Sequence, residues 1–104
     1  MRSKLDFASI RKGKRIRVGN LRITYRPNQL GFSRLGFAVS RKYGNAVQRN
    51  YFKRQLRERF RTSDCHALGL DVLIIPATDA KRMVNVADDF LQALTIMHRQ
   101  RVNL

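Results

Sequence analysis

Apolar and polar residues alternate over Arg15-Ile16-Arg17-Val18 and again over Leu21-Arg22-Ile23-Thr24-Tyr25, with Gly19-Asn20 between them. This pattern predicts two strands of a meander joined by a tight turn, with Leu21, Ile23 and Tyr25 on one face. After the turn-rich segment from Pro27 to Ser33, Leu35-Gly36-Phe37-Ala38-Val39-Ser40 predicts a third strand, large residues on one side and small ones on the other. A small face admits close approach of another group to the backbone, or a packed helix. Leu70-Asp71-Val72-Leu73-Ile74-Ile75 is the most β-branched run and predicts a buried strand stopped by Pro76.

The helical period appears three times. Phe7 and Ile10 stand three apart and predict a short amphipathic helix ending at Lys12-Gly13-Lys14. Asn45, after Gly44, suits the cap of a helix starting near Ala46, in which Phe52, Leu56 and Phe60 form a buried stripe. Asn50, Arg54, Arg57 and Arg61 form a separate ridge, and Arg49 and Lys53 fall where the helix meets the rest of the domain. Asn85 with Asp88 three residues on resembles a capping pair, ahead of the stripe Val86, Phe90, Ala93, Leu94 and Met97. A long helix between the Leu35 and Leu70 strands makes these two a parallel pair joined by a crossover. The expected fold is α+β: one domain, residues 1–104, a two-layer sandwich of a mixed sheet covered by helices.

Charge changes this picture. Residues 1–61 hold 18 Lys or Arg against Asp6 and Glu58, while residues 62–104 hold four against five acids, so the net +15 is concentrated in the first part of the chain. Between Arg41 and Arg61 there are eight Lys or Arg and one acid, Glu58. The ion pairs that normally lace a solvated helix cannot form there, and like charges one turn apart repel. A polyanion would relieve that repulsion; RNA, DNA and an anionic membrane all fit at this level. No apolar run approaches the length of a membrane span, and the N-terminus lacks the apolar core of a secretory signal. The single Cys65 allows neither an internal disulfide nor a cysteine metal cluster and suits a reducing compartment, so a cytoplasmic location is expected.

Catalytic chemistry is hard to assemble from these residues. The acids Asp6, Glu58, Asp64, Asp71, Asp79, Asp88 and Asp89 are scattered over separate elements and read as solvent-facing or capping groups. Cys65 and His66 are adjacent, which rarely turns two side chains toward each other, and read as a loop pair. No glycine-rich phosphate loop or zinc spacing occurs.

The run Lys42-Tyr43-Gly44-Asn45-Ala46-Val47-Gln48-Arg49-Asn50-Tyr51-Phe52-Lys53-Arg54-Gln55-Leu56-Arg57-Glu58 closely resembles the signature of the bacterial ribonuclease P protein subunit. The resemblance extends to Asp6-Phe7 through Gly13, to Leu35 through Lys42, and to Asp71 through Pro76. It implies a four-stranded α/β sandwich with a left-handed βαβ crossover, against the usual preference. It also implies a partner RNA that is itself the catalyst, works with Mg²⁺ and removes the 5′ leader of precursor tRNA. No catalytic residue or cofactor is then expected on this chain, nor a membrane or obligate protein partner. Carried onto matching positions, Lys42, Arg49, Asn50, Lys53, Arg54 and Arg57 contact RNA, and Phe7, Arg11 and Tyr25 belong to a cleft for the leader. Two positions depart from the family pattern: Tyr51 stands where a basic residue is usual, and Arg11 where a second aromatic often follows. The competing readings are a ribosomal-type structural RNA-binding protein and a protein-only nuclease, the latter disfavoured by the scattered acids.

Overall fold

A computed structural model describes residues 10–102. In order it contains β1 (Lys14–Val18), β2 (Leu21–Pro27), β3 (Arg34–Phe37), α1 (Ala46–Arg61), a 3₁₀ turn (Asp64–Ala67), β4 (Leu70–Pro76) and α2 (Val86–Val102). The strands form one mixed sheet in the order β1-β2-β4-β3, with β1, β2 and β4 successively antiparallel and β3 parallel to β4. The parallel pair spanned by a helix is the one the apolar pattern predicts.

Alternation gives the sheet two different faces. Val18, Leu21, Ile23, Tyr25, Leu70, Val72 and Ile74 are buried with Phe52, Leu56 and Phe60 of α1 and Phe90, Ala93 and Met97 of α2 in one core. Register places Arg15 opposite Thr24, Arg17 opposite Arg22, Arg22 opposite Ile75 and Thr24 opposite Leu73 on the other face. One face of the sheet is therefore the core and the other is rich in arginine.

The β1–β2 turn is tied to α2. Gly19 has a left-handed φ of 57°, its Cα lies so close to the Asp89 carboxylate that a β-carbon would collide with it, and the Asn20 backbone N–H donates to Asp89 Oδ2 at 3.4 Å.

Three local expectations change. β3 ends at Phe37 rather than Ser40: the Ala38 N–H still donates to the Ile74 carbonyl at 3.0 Å, and the chain then turns through the Tyr43 N–H to Ser40 carbonyl bond. Asn85 has φ 54°, unlike the extended backbone of a side-chain cap, and its carbonyl accepts from Asp89 N–H at 2.9 Å. Asp71 is not solvent-facing, being only 7% exposed in the central strand β4. The predicted helix around Phe7 lies outside the described residues, apart from Ile10, which is helical and fully buried.

Candidate nucleic-acid interface

The start of α1 is fixed by a reciprocal cap. Asn45 Oδ1 accepts from the Gln48 backbone N–H and Gln48 Oε1 accepts from the Asn45 backbone N–H, both at 2.8 Å. A side chain at Gly44 would run into that Gln48 amide. The Gly44 carbonyl meanwhile accepts from Arg49 Nη1 at 2.9 Å, so the half-buried Arg49 is oriented by the turn it follows. Just upstream, Tyr43 is buried with its ring 5.1 Å from that of Phe52, and its carbonyl accepts from Ala80 N–H at 2.7 Å. Tyr43 thus anchors the turn to the core and leaves its neighbour Lys42 exposed.

Along the helix Asn50, Arg54 and Arg57 are exposed and Lys53 is half-buried, as the spacing predicts. Arg57 lies 5.4 Å from the centre of the Phe37 ring, which packs edge-on against Phe52. A cation over an aromatic ring is held by the ring quadrupole, so Arg57 is positioned before any ligand arrives. Glu58 pairs with Arg61 at 2.8 Å, but both side chains are largely exposed and the pair contributes little. The structure brings Lys42, Arg49, Asn50, Lys53, Arg54 and Arg57 together on one turn and helix.

The expected leader cleft divides differently. On the open face of the sheet is a groove of about 700 Å³, with walls that include Arg11, Arg15, Arg17 and Arg22 and a floor that includes Leu73 and Ile75. Among the described residues no carboxylate lines it. At Ala38 and Ile75 it meets a second depression that reaches Lys42, so the groove leads to the basic turn. Of the residues expected in the leader cleft, Arg11 lines this groove. Tyr25 does not: it is 5% exposed on the core face and borders a separate cavity of about 360 Å³ with Lys12, Lys14 and Gln100. The β2 residue that faces the groove is Thr24. Phe7 lies outside the described residues. Alternation alone could have named Arg15, Arg17, Arg22 and Thr24 as groove residues, because they hold the polar positions of the first two strands.

Among the described residues the Tyr25 hydroxyl is buried without a hydrogen-bond partner, and burial raises its pKa above the ordinary tyrosine value. An unpaired buried hydroxyl costs on the order of 1–3 kcal/mol. Tyr25→Phe is therefore expected to stabilise the fold by about 1 kcal/mol, read from urea melts.

Cys65 and His66 do not form a nucleophile and base. Cys65 is buried, its Sγ donates to the Leu94 carbonyl at 3.3 Å, and burial pushes the thiol up to about 11. His66 Nδ1 instead lies 2.6 Å from the Ser63 carbonyl. Among the described residues no three His, Cys, Asp or Glu side chains converge, and no helix is long and apolar enough to cross a membrane.

A sequence model of the Ribonuclease P family matches residues 1–98. The chain belongs to the ribonuclease P protein family. It is 38% identical over 84 residues to the Ribonuclease P protein component of Petrotoga mobilis, an alignment covering 79% of this chain and 71% of that one. The Staphylococcus aureus component is 45% identical over 53 residues, which cover 51% of this chain but 46% of the relative. Among solved structures, the Staphylococcus aureus RNase P protein superposes with a TM-score of 0.75 at 31% identity, covering 94% of this chain and 93% of that one. The Thermotoga maritima RNase P protein, solved with 1-(4-fluorophenyl)-2-thiourea, gives 0.72 at 33% identity over 86% of this chain and 91% of that one. The α+β architecture with a mixed four-stranded sheet is that of these RNase P proteins. As a ribonuclease P protein component, the chain is part of an endoribonuclease that is a ribonucleoprotein of tRNA processing, and its partner is an RNA.

Proposed function

We propose that this chain binds the catalytic RNA through Lys42, Arg49, Asn50, Lys53, Arg54 and Arg57, and holds the single-stranded 5′ leader of precursor tRNA in the arginine-walled groove on the open sheet face. The observation that carries this reading is the meeting of two acid-poor cationic surfaces, α1 and the groove, near Lys42 in a chain of this family. Phosphates are the natural ligand for both, because each Lys or Arg that neutralises one releases condensed counterions. The two surfaces suit different nucleic-acid forms. A helix ridge can lie along a folded RNA backbone, whereas a cationic groove tracks a single strand.

The chain contributes position and charge. Arg11, Arg15, Arg17 and Arg22 hold the leader while the RNA, with Mg²⁺, supplies the hydrolytic chemistry. Of the residues expected in the cleft, Arg11 lines this groove and Tyr25 faces the core, so among the described residues the groove offers the leader charge. The site of action follows the substrate to the compartment where tRNA is transcribed, the cytoplasm.

Reconstitution with a bacterial ribonuclease P RNA and precursor tRNA at low Mg²⁺ tests the reading. Cleavage at the 5′ end with both components, and none from the protein alone, supports it. RNA binding without stimulated cleavage would instead support a purely structural role. Arg15→Ala with Arg22→Ala should weaken binding of precursor but not of mature tRNA, which has no leader. Tyr25→Phe should leave both unchanged.

A further inference from the structure

The three tyrosines sit in contrasting environments. Tyr25 and Tyr43 are 5% and 8% exposed, whereas Tyr51 on α1 is 57% exposed, and Val47, one turn before it, is 76% exposed. Among the described residues the Tyr51 side chain takes part in no hydrogen bond or ring contact; the ring contacts near α1 involve Phe37, Tyr43, Phe52 and Arg57. Its helical neighbours three and four residues away are Val47, Gln48, Arg54 and Gln55, with no acid among them. Single exposed apolar residues are ordinary on protein surfaces. This pair differs because it is continuous with Arg54 and Arg57 of the ridge, exposed cations with no acidic partner among the described residues, so a polyanion brought to the ridge meets an open aromatic face.

We propose that Tyr51, flanked by Val47, is a stacking platform for an unpaired nucleobase of the RNA partner. The proposal rests on the reading of α1 as the RNA-contacting helix. It adds a contact of another kind, because stacking involves the π-face of a base and not its phosphate, and only a base out of its helical stack can offer that face. Arg54, three residues on, is placed to neutralise the phosphate of the same nucleotide, and Val47 supplies apolar surface for the edge of the base or its ribose.

Equilibrium binding of the full-length protein to a bacterial ribonuclease P RNA, measured over a range of salt, tests it. Tyr51→Ala is expected to weaken binding about tenfold at every salt concentration, with an unchanged log–log slope. Tyr51→Phe, which keeps the ring, should bind within about twofold of the unaltered protein. Arg54→Ala should instead lower the slope by about 0.7–0.9. Fluorescence gives a second readout, since the chain has no tryptophan and two of its tyrosines are buried. RNA should quench the tyrosine emission of the unaltered protein, and Tyr51→Phe should abolish that quenching while still binding. Unchanged affinity of Tyr51→Ala, equal weakening by Tyr51→Phe, or quenching that survives Tyr51→Phe would each overturn the platform. If these occur while Arg54→Ala still lowers the slope, α1 remains the RNA-binding helix without it. Failure of the unaltered protein to bind the RNA would overturn both.

Discussion

Asp71→Ala is expected to lower the unfolding free energy by about 3–5 kcal/mol, measured from urea melts at neutral pH. Asp71 lies in the central strand β4, nearly inaccessible, and meets Arg34 of β3 in two parallel bonds: Nε to Oδ1 at 2.8 Å and Nη2 to Oδ2 at 2.7 Å. Asn28 Nδ2 donates to the same Oδ1 at 2.8 Å, and its own Oδ1 accepts from the Leu30 N–H at 2.9 Å, so the carboxylate also organises the β2–β3 loop. The Arg34 side chain is only 15% exposed, so its two-bond pair with Asp71 is held largely out of water, where breaking an ion pair is costly.

The same network sets a pH dependence. Burial alone would raise the Asp71 pKa, but the bonds from Arg34 and Asn28 outweigh it and hold the carboxyl below its usual range. A carboxyl whose folded pKa is depressed contributes its full stability above the unfolded value, about 3.9. It loses that contribution as pH falls through the folded value. The unaltered and Asp71→Ala proteins should therefore differ most near neutrality and converge below about pH 4. A difference independent of pH would point to lost packing in place of a lost ion pair.

What could be read from the sequence divides according to distance along the chain. The stripe of Phe52, Leu56 and Phe60 and the ridge of Asn50, Arg54 and Arg57 repeat within a few residues, and a helix maps that repeat directly onto burial. Asn45 was legible as a cap for the same reason. The Asn28–Asp71–Arg34 network was not, because its members are 43 and 37 residues apart and meet only when β3 pairs with β4. Tyr25 is a different case. The alternation already put it with Leu21 and Ile23, the core side, and the family resemblance drew it toward the cleft; the local period was the better guide. Arg15, Arg17 and Arg22 occupied the opposite positions of the same pattern, yet their common groove depends on how two strands and Arg11 are brought together. Alternation also runs past the end of β3 through Ser40, because it marks which side a residue faces and not where a strand loses its partner.

Replacing Lys53, Arg54 and Arg57 together by alanine is expected to weaken binding to ribonuclease P RNA by more than about 100-fold at ~0.1 M salt. Each charge-assisted bond contributes roughly 1.5–3 kcal/mol, and the three need not add fully. Salt tests the cause: with about 0.7–0.9 lost from the slope per phosphate contact, the triple variant should show a log–log slope shallower by about two to three. Folding should change little. Arg54 and Arg57 are exposed, Lys53 is half-buried, and the Arg57 contact with Phe37, about 0.5–1 kcal/mol, is offset by relief of repulsion among cations one turn apart. A large fall in affinity with the slope intact would show that the helix binds by shape or stacking, not through these charges. A shallower slope combined with unchanged preference for precursor over mature tRNA, measured with RNA in saturating excess, would separate the roles of the two surfaces. The ridge would then govern assembly with the RNA, and the groove across the sheet would govern recognition of the leader.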